Sequence, residues 1–147
     1  LIECRVTGLA AGLGEPVFDK LDAELAHAML SIGSVKGIEF GAGFGAADMT
    51  GSQHNDELNE TGFLTNNAGG IIGGISTGEE IIFRIAVKPT SSIARPQQTV
   101  DITGVARTIR TEGRHDACIC PRIVPVVEAM TFLVLLDHAK RQHAMHA

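Results

Sequence analysis

The stretch Asn66–Pro96, NNAGGIIGGISTGEEIIFRIAVKPTSSIARP, decides how the chain is read. Gly69, Gly70, Gly73, Gly74 and Gly78 come first. A strand from Glu79 to Lys88 follows. It places Ile81, Phe83, Ile85 and Val87 on one face and Ile82, Arg84, Ala86 and Lys88 on the other. That period of two is the spacing of a half-buried antiparallel strand. A polar turn closes the stretch, Lys88-Pro89-Thr90-Ser91-Ser92. One cation followed by three hydroxyl side chains suits a phosphate or the edge of a flavin. The glycines admit two readings. They let backbone N–H groups approach a ligand or take φ > 0. Equally, they form a turn that feeds a buried strand. No Gly-Lys-Ser/Thr triplet follows them and no G-x-G-x-x-G occurs, so the P-loop and dinucleotide patterns are absent.

Outward from this stretch, composition narrows the function classes. A chain of 147 residues can form one domain that buries roughly 70% of its unfolded surface. Hydrophobic residues make up 44% and charged residues 20%, the balance of a globular protein. There is no Trp or Tyr, so the core must rest on aliphatics and six Phe. Net charge is −5. From Gly37 to Phe83 there is no Lys or Arg, while Glu39, Asp48, Asp56, Glu57, Glu60, Glu79 and Glu80 are acidic. Such a segment repels a phosphate backbone, which argues against nucleic-acid binding. The three cysteines, Cys4, Cys118 and Cys120, are odd in number, and two are separated by one residue. They read as reduced thiols of a cytoplasmic protein. His115, Cys118 and Cys120 are metal-ligand types but lack C-x-x-C spacing and a fourth ligand, so no metal is expected. No signal peptide is visible. The apolar run Ala129 to Leu136 is far short of the ~20 residues that span a bilayer, so no membrane is expected as a partner.

Along the chain, residues 1–7 read as a short strand with Ile2, Cys4 and Val6 on one face, its neighbours expected in chain outside this sequence. Pro16 is expected to open a helix. Val17, Leu21, Leu25, Ala28 and Ile32 would line one face, widened by Phe18 and Met29. Gly33 would cap its C-terminus. Val35 to Phe40 is a strand, and Gly41 to Gly62 a long polar loop carrying His54, which is either a solvated side chain or a general base. Thr99 to Thr111 reads as two strands broken at Gly104. Gly113-Arg114-His115-Asp116 follows, a turn of exposed charges or an anion site. Pro121 and Pro125 lead into a last helix reaching about His143, apolar nearly all round from Ala129 to Leu136 and so suited to burial on most sides, with an apolar face exposed here unless a partner covers it. Strands and helices in this order give an α+β fold, with helices packed on one face of an antiparallel sheet.

NNAGGIIGGISTGEEI with KPTSS resembles the C-terminal part of chorismate synthase. GLGEPVFDKLDAELAHAMLSIGSVKGIEFG, GSQHNDE and GRHDACICPRIVPVVEAM are similar to that family in the same order, covering most of residues 8–143. Nothing resembles the family's N-terminal half, with its two active-site histidines and most of its arginines. The resemblance therefore implies that residues 1–147 are a C-terminal fragment, a single domain supplying about half of a β-α-β sandwich. It implies a 1,4-elimination of phosphate from 5-enolpyruvylshikimate 3-phosphate to give chorismate, with reduced FMN as cofactor. By the same resemblance Gly33, Ser34, Gly73, Lys88, Pro89, Thr90, Ser91, Ser92 and Arg114 would bind FMN, and Asp116 would manage a proton near flavin N5. The family often has a polar side chain such as Asn where Gly33 stands, so a side-chain contact there is lost or replaced by backbone. The polar loop around His54 would lie near the active site. A homo-oligomer, a tetramer in the family, a link to NADP and a cytoplasmic location complete what the resemblance implies. It also leaves the fragment alone without lyase activity. The alternatives are a non-catalytic oligomerisation fragment and an unrelated phosphate-binding module built on the glycine run.

Overall fold

The computed structural model describes residues 1–146. In chain order the strands and α-helices are β1 (Ile2–Val6), α1 (Leu21–Ser31), β2 (Val35–Phe40), α2 (Gly51–His54), β3 (Leu58–Asn59), β4 (Gly62–Phe63), β5 (Ile71–Ile72), β6 (Ile75–Ser76), β7 (Ile81–Val87), β8 (Gln97–Val100), β9 (Ala106–Ile109) and α3 (Cys120–His146). A 3-10 helix, Gly43–Asp48, lies between β2 and α2.

The alternation read in residues 79–88 becomes the central strand of a three-stranded antiparallel sheet, ordered β1-β7-β2. Cys4 stands opposite Phe83 and Ile38 opposite Ile85. The strand at the N-terminus therefore finds its partner within this chain, contrary to expectation. Its apolar period matches that of β7, and this fixes the register. Ile81, Phe83 and Ile85 are fully buried and pack in one cluster with Ile2, Val35, Leu21, Leu25 and Met29. From α3, Ile123, Val127 and Leu135 join the same cluster. Both long helices thus cover one face of the sheet, the α+β arrangement expected. Between Val35 and Gly37 the β2 register shifts, so Lys36 sits in a bulge.

Two helix boundaries differ from expectation. Pro16 does not open α1, which starts at Leu21. Residues 16–19 form turns instead, with Val17 at φ 69°. The Leu21 N–H, an unpaired donor at the helix start, donates to the Gly74 carbonyl at 2.9 Å. Val17 and Phe18 consequently lie outside the core, Phe18 being 85% exposed. Pro125 lies inside α3 rather than ahead of it. That helix is buried on one face only. Thr131 and His138 lie on this inner face, while Phe132 is 70% exposed and Leu133 and Leu136 are also open. Neither ring nitrogen of His138 has a hydrogen-bond partner among the described residues. Arg141 pairs with Asp137 at 2.7 Å and Asp19 at 3.3 Å, tying α3 to the segment before α1.

The glycine run takes the turn reading. Gly73 and Gly74, at φ 62° and 88°, connect β5 to β6. Two positive φ values in a two-residue hairpin turn favour glycine strongly. Gly70 serves a different purpose. A Cβ there would lie 2.5 Å from the Glu80 carbonyl oxygen, so only glycine lets the two backbones approach. The 41–62 segment is built around an anchor. Asp56 Oδ1 accepts from the Asn67 N–H at 2.7 Å and the Thr65 hydroxyl at 2.6 Å, and Oδ2 from the Ala68 N–H at 2.8 Å. Burial opposes ionisation of Asp56, but these three donors outweigh it and hold its carboxyl below the ordinary value of 3.8.

Two outcomes are expected. Gly70→Ala destabilises the fold by more than about 2 kcal/mol through backbone overlap, whereas Gly73→Ala, facing open space, costs only about 1 kcal/mol for its left-handed conformation. Urea unfolding checks the contrast. Asp56→Asn costs about 1 kcal/mol at neutral pH, since hydrogen bonds to a half-buried charge are partly discounted by solvent. A depressed folded pKa stabilises fully above the unfolded value and fades as pH falls through the folded one, so the gap between variant and wild type must close in acid. Thermal unfolding across pH reads this.

Candidate functional site

The end of β7 sets the position of the first group of candidate residues. The Lys88 N–H donates to the Ser34 carbonyl at 2.8 Å, so the turn after α1 is fastened to the turn after β7. In the first turn the α1 cap is Ile32, and the left-handed residue is Ser34 at φ 75° rather than Gly33. The expected glycine cap is thus displaced by one residue. The reason is the Val35 N–H bond to the Ile32 carbonyl at 3.2 Å, which closes a turn with Ser34 in its third position, where φ > 0 is needed.

Beyond Lys88 the chain leaves the sheet and meets the Gly113–Asp116 turn. Thr90 and Ser92 line one cleft of about 270 Å³ together with Gly113, His115 and Asp116. Two motifs more than twenty residues apart in sequence therefore share one concavity. The β8–β9 hairpin accounts for the intervening chain and returns it to the cleft. Thr90 Oγ1 is buried there and has no hydrogen-bond partner among the described residues. A buried hydroxyl left unpaired costs stability, so it marks a place where a ligand oxygen would be welcome. Lys88 and Arg114 are exposed and have no ion-pair partner among the described residues. Pro89 and Ser91 are exposed in the same turn, and Lys88, Pro89, Ser91 and Arg114 all flank the cleft without lining it.

Asp116 is held by a residue that sequence reasoning missed. Arg122 Nε, in the first turn of α3, lies 3.1 Å from Asp116 Oδ2. The only sequence signal was a cation six residues on, and nothing in the spacing said that the chain turns back between them. Arg84 was expected on the face shared with Lys88. It is occupied structurally, paired with Glu39 at 3.0 Å and donating to the Gly41 carbonyl at 2.8 Å.

Gly73 does not join this cleft. It lines another, of about 290 Å³, with His54, Asn55 and Asp56. The two linings share no residue. Among the described residues no group of three or more His, Cys, Asp or Glu is arranged to hold a metal. No helix among them is long and apolar enough to cross a membrane.

Comparison with known proteins is consistent along almost the whole chain. The chorismate synthase family description matches residues 1–139. The chorismate synthase of Desulfosudis oleivorans is 58% identical over 145 residues, which is 99% of this chain and 41% of that protein. The chorismate synthase of Leptothrix cholodnii is 53% identical over 143 residues, 97% of this chain and 37% of that one. A crystal structure of chorismate synthase superposes with a TM-score of 0.73 at 32% identity, covering 95% of this chain and 37% of its own. The chain thus spans about two fifths of the length of these relatives. With a family match over nearly all its residues, the chain belongs to the chorismate synthase family.

Proposed function

We propose that this chain is the flavin-binding C-terminal part of a chorismate synthase, a lyase that eliminates phosphate from 5-enolpyruvylshikimate 3-phosphate to form chorismate. The observation that carries this reading is the single cleft in which Thr90 and Ser92 meet Asp116, with the Thr90 hydroxyl buried and unpaired. These residues fit FMN. Its phosphate needs hydrogen-bond donors and a cation, and the Lys88–Ser92 turn offers three hydroxyls beside a lysine that has no ion-pair partner among the described residues. Arg114, without an ion-pair partner among the described residues, can pair with an anion or stack on a flat ring. Gly33 and Ser34, tied to Lys88 through the backbone, would present peptide groups to the same ligand. Pro89 stiffens the turn and Ser91 completes its donors. Gly73, expected from the resemblance to bind the flavin, lines the separate cleft beside His54.

When bound in reduced form, FMN supplies electron density that the elimination uses and returns, with no net redox change. The protein's contribution is binding, orientation and proton control. Asp116 is the group in the cleft suited to hold or release a proton near flavin N5. Arg122, in the first turn of α3, forms an exposed ion pair with that carboxylate. The substrate carries a phosphate and two carboxylates. A chain of net charge −5 has no concentrated cationic site for them. Its recognition belongs to other parts of the enzyme, and residues 1–147 alone would be inactive.

A second reading rests on the open face of α3, where Phe132, Leu133 and Leu136 are exposed. An apolar stripe of this kind suits assembly into an oligomer, the tetramer implied above, and on that reading the cleft would be idle. One experiment separates them. The 147-residue chain is mixed with the N-terminal part of the Desulfosudis oleivorans relative, reduced FMN and substrate, and chorismate is measured. The wild-type chain should restore turnover. Asp116→Ala should lower it by about a hundredfold or more, the usual worth of a general acid–base group. Lys88→Ala should raise the FMN concentration needed for half-maximal rate by about tenfold, the loss of one charge-assisted contact. If both variants restore turnover as well as wild type, the catalytic reading fails. Turnover by the 147-residue chain alone would overturn the proposed division of labour.

A further inference from the structure

Cys118 and Cys120 flank the start of α3. Cys118 is exposed, Cys120 is half-buried, and both are free thiols. With one residue between them, their Cα atoms are at most about 7 Å apart whatever the backbone does, which is the edge of disulfide reach and within it for any bent conformation. Cys120 is the first residue of α3, so its N–H is one of the donors the helix leaves unpaired. That N–H, then the Cys120 thiol, hydrogen-bonds Cys118 and lowers its pKa, while the same thiol contact raises that of Cys120. The exposed Cys118 sulfur is the one a small disulfide reaches first and the half-buried Cys120 sulfur the one that follows, and the directions of these shifts agree. Cys4 provides the contrast. It is part-buried between β1 and α3, its Sγ 4.0 Å from Thr131 Oγ1, and burial pushes its thiol up.

We propose that Cys118 and Cys120 are a thiol–disulfide couple, closed by small-molecule disulfides of the glutathione class and reopened by thiols. The Cys118 thiolate attacks one sulfur of the disulfide, forming a mixed disulfide and releasing one thiolate. Cys120, losing its proton, then attacks Cys118 Sγ and releases the second. Two cysteine thiols are oxidised, one small disulfide is reduced to two thiols, and the two protons pass to the departing thiolates.

Closure reaches the cleft through the backbone. Ile119, the residue inside the ring, accepts at its carbonyl from the Arg122 N–H at 3.0 Å and the Ile123 N–H at 3.1 Å, the bonds that begin α3. A ring of this size dictates the backbone angles of Ile119 and disturbs both bonds. Arg122 is the residue that holds Asp116, and Ala117, adjacent to Cys118, lines the cleft. The couple therefore bears on the geometry of that carboxylate, whatever the cleft binds.

The test equilibrates the 147-residue chain with oxidised glutathione, blocks remaining thiols with N-ethylmaleimide, and maps the peptides by mass. The peptide holding Cys118 and Cys120 should lose two hydrogen masses and take no label, while Cys4 is labelled. Cys120→Ser should accumulate glutathione on Cys118, because the second attack is gone. Cys118→Ser should react more slowly than Cys120→Ser, because the exposed sulfur makes the first attack. Hydrogen exchange at Arg122 and Ile123 should quicken in the oxidised wild-type chain. Failure of the wild-type chain to form the 118–120 linkage overturns the proposal without reference to any variant, as does equal reactivity of the two serine variants.

Discussion

Burial of Ile81, Phe83 and Ile85 against Leu21, Leu25 and Met29 is the constraint on which the rest depends. Each such side chain is worth about 1.5–3 kcal/mol on leaving water, and among the described residues these six apolar side chains are the most completely buried. The contact places β7 at the centre of the sheet and α1 above it. One side of the candidate site is hung from the ends of these elements. The C-terminal end of β7 delivers Lys88, the C-terminal end of α1 delivers Ser34, and one backbone hydrogen bond joins them. A site anchored in this way inherits the rigidity of the core while its donor groups remain outside it.

The glycine run owes its abundance to that same packing. Gly41 and Gly69 let two backbone segments meet, since a Cβ on either would strike the other segment. Gly70 approaches the start of β7, and Gly74 accepts the first N–H of α1. Asp56 closes the arrangement from the acidic segment by capturing the N–H groups of Asn67 and Ala68. The acidic stretch without Lys or Arg is therefore not simply a solvated surface, because one of its carboxylates organises the loop next to Gly73.

How much of this was legible follows from the physics of each signal. The β7 faces were readable because a period of two leaves little ambiguity once one face is apolar. The β8–β9 hairpin was readable from Gly104, at φ 83° in its turn. The start of α1 was not, since Pro16 is equally at home in a turn, and what excludes Val17 from the helix is a tertiary bond from Leu21 to Gly74. An apolar period alone cannot tell a helix surrounded by protein from one covered on a single side, but the open apolar face of α3 was legible once the chain was read as half of a sandwich. At the site, the motifs themselves could be quoted from sequence, but their meeting could not. It requires the hairpin of residues 97–109 to bring Asp116 back to Thr90, and it requires Arg122 to turn toward Asp116.

The central claim is that the turns at 88–92 and 113–116 form one ligand site held by the end of β7. Hydrogen exchange on the 147-residue chain, with and without FMN, tests it directly. The account predicts slowed exchange in both turns together, while β7 is already slow without ligand. Protection of one turn without the other, or protection confined to residues 54–73, would contradict it.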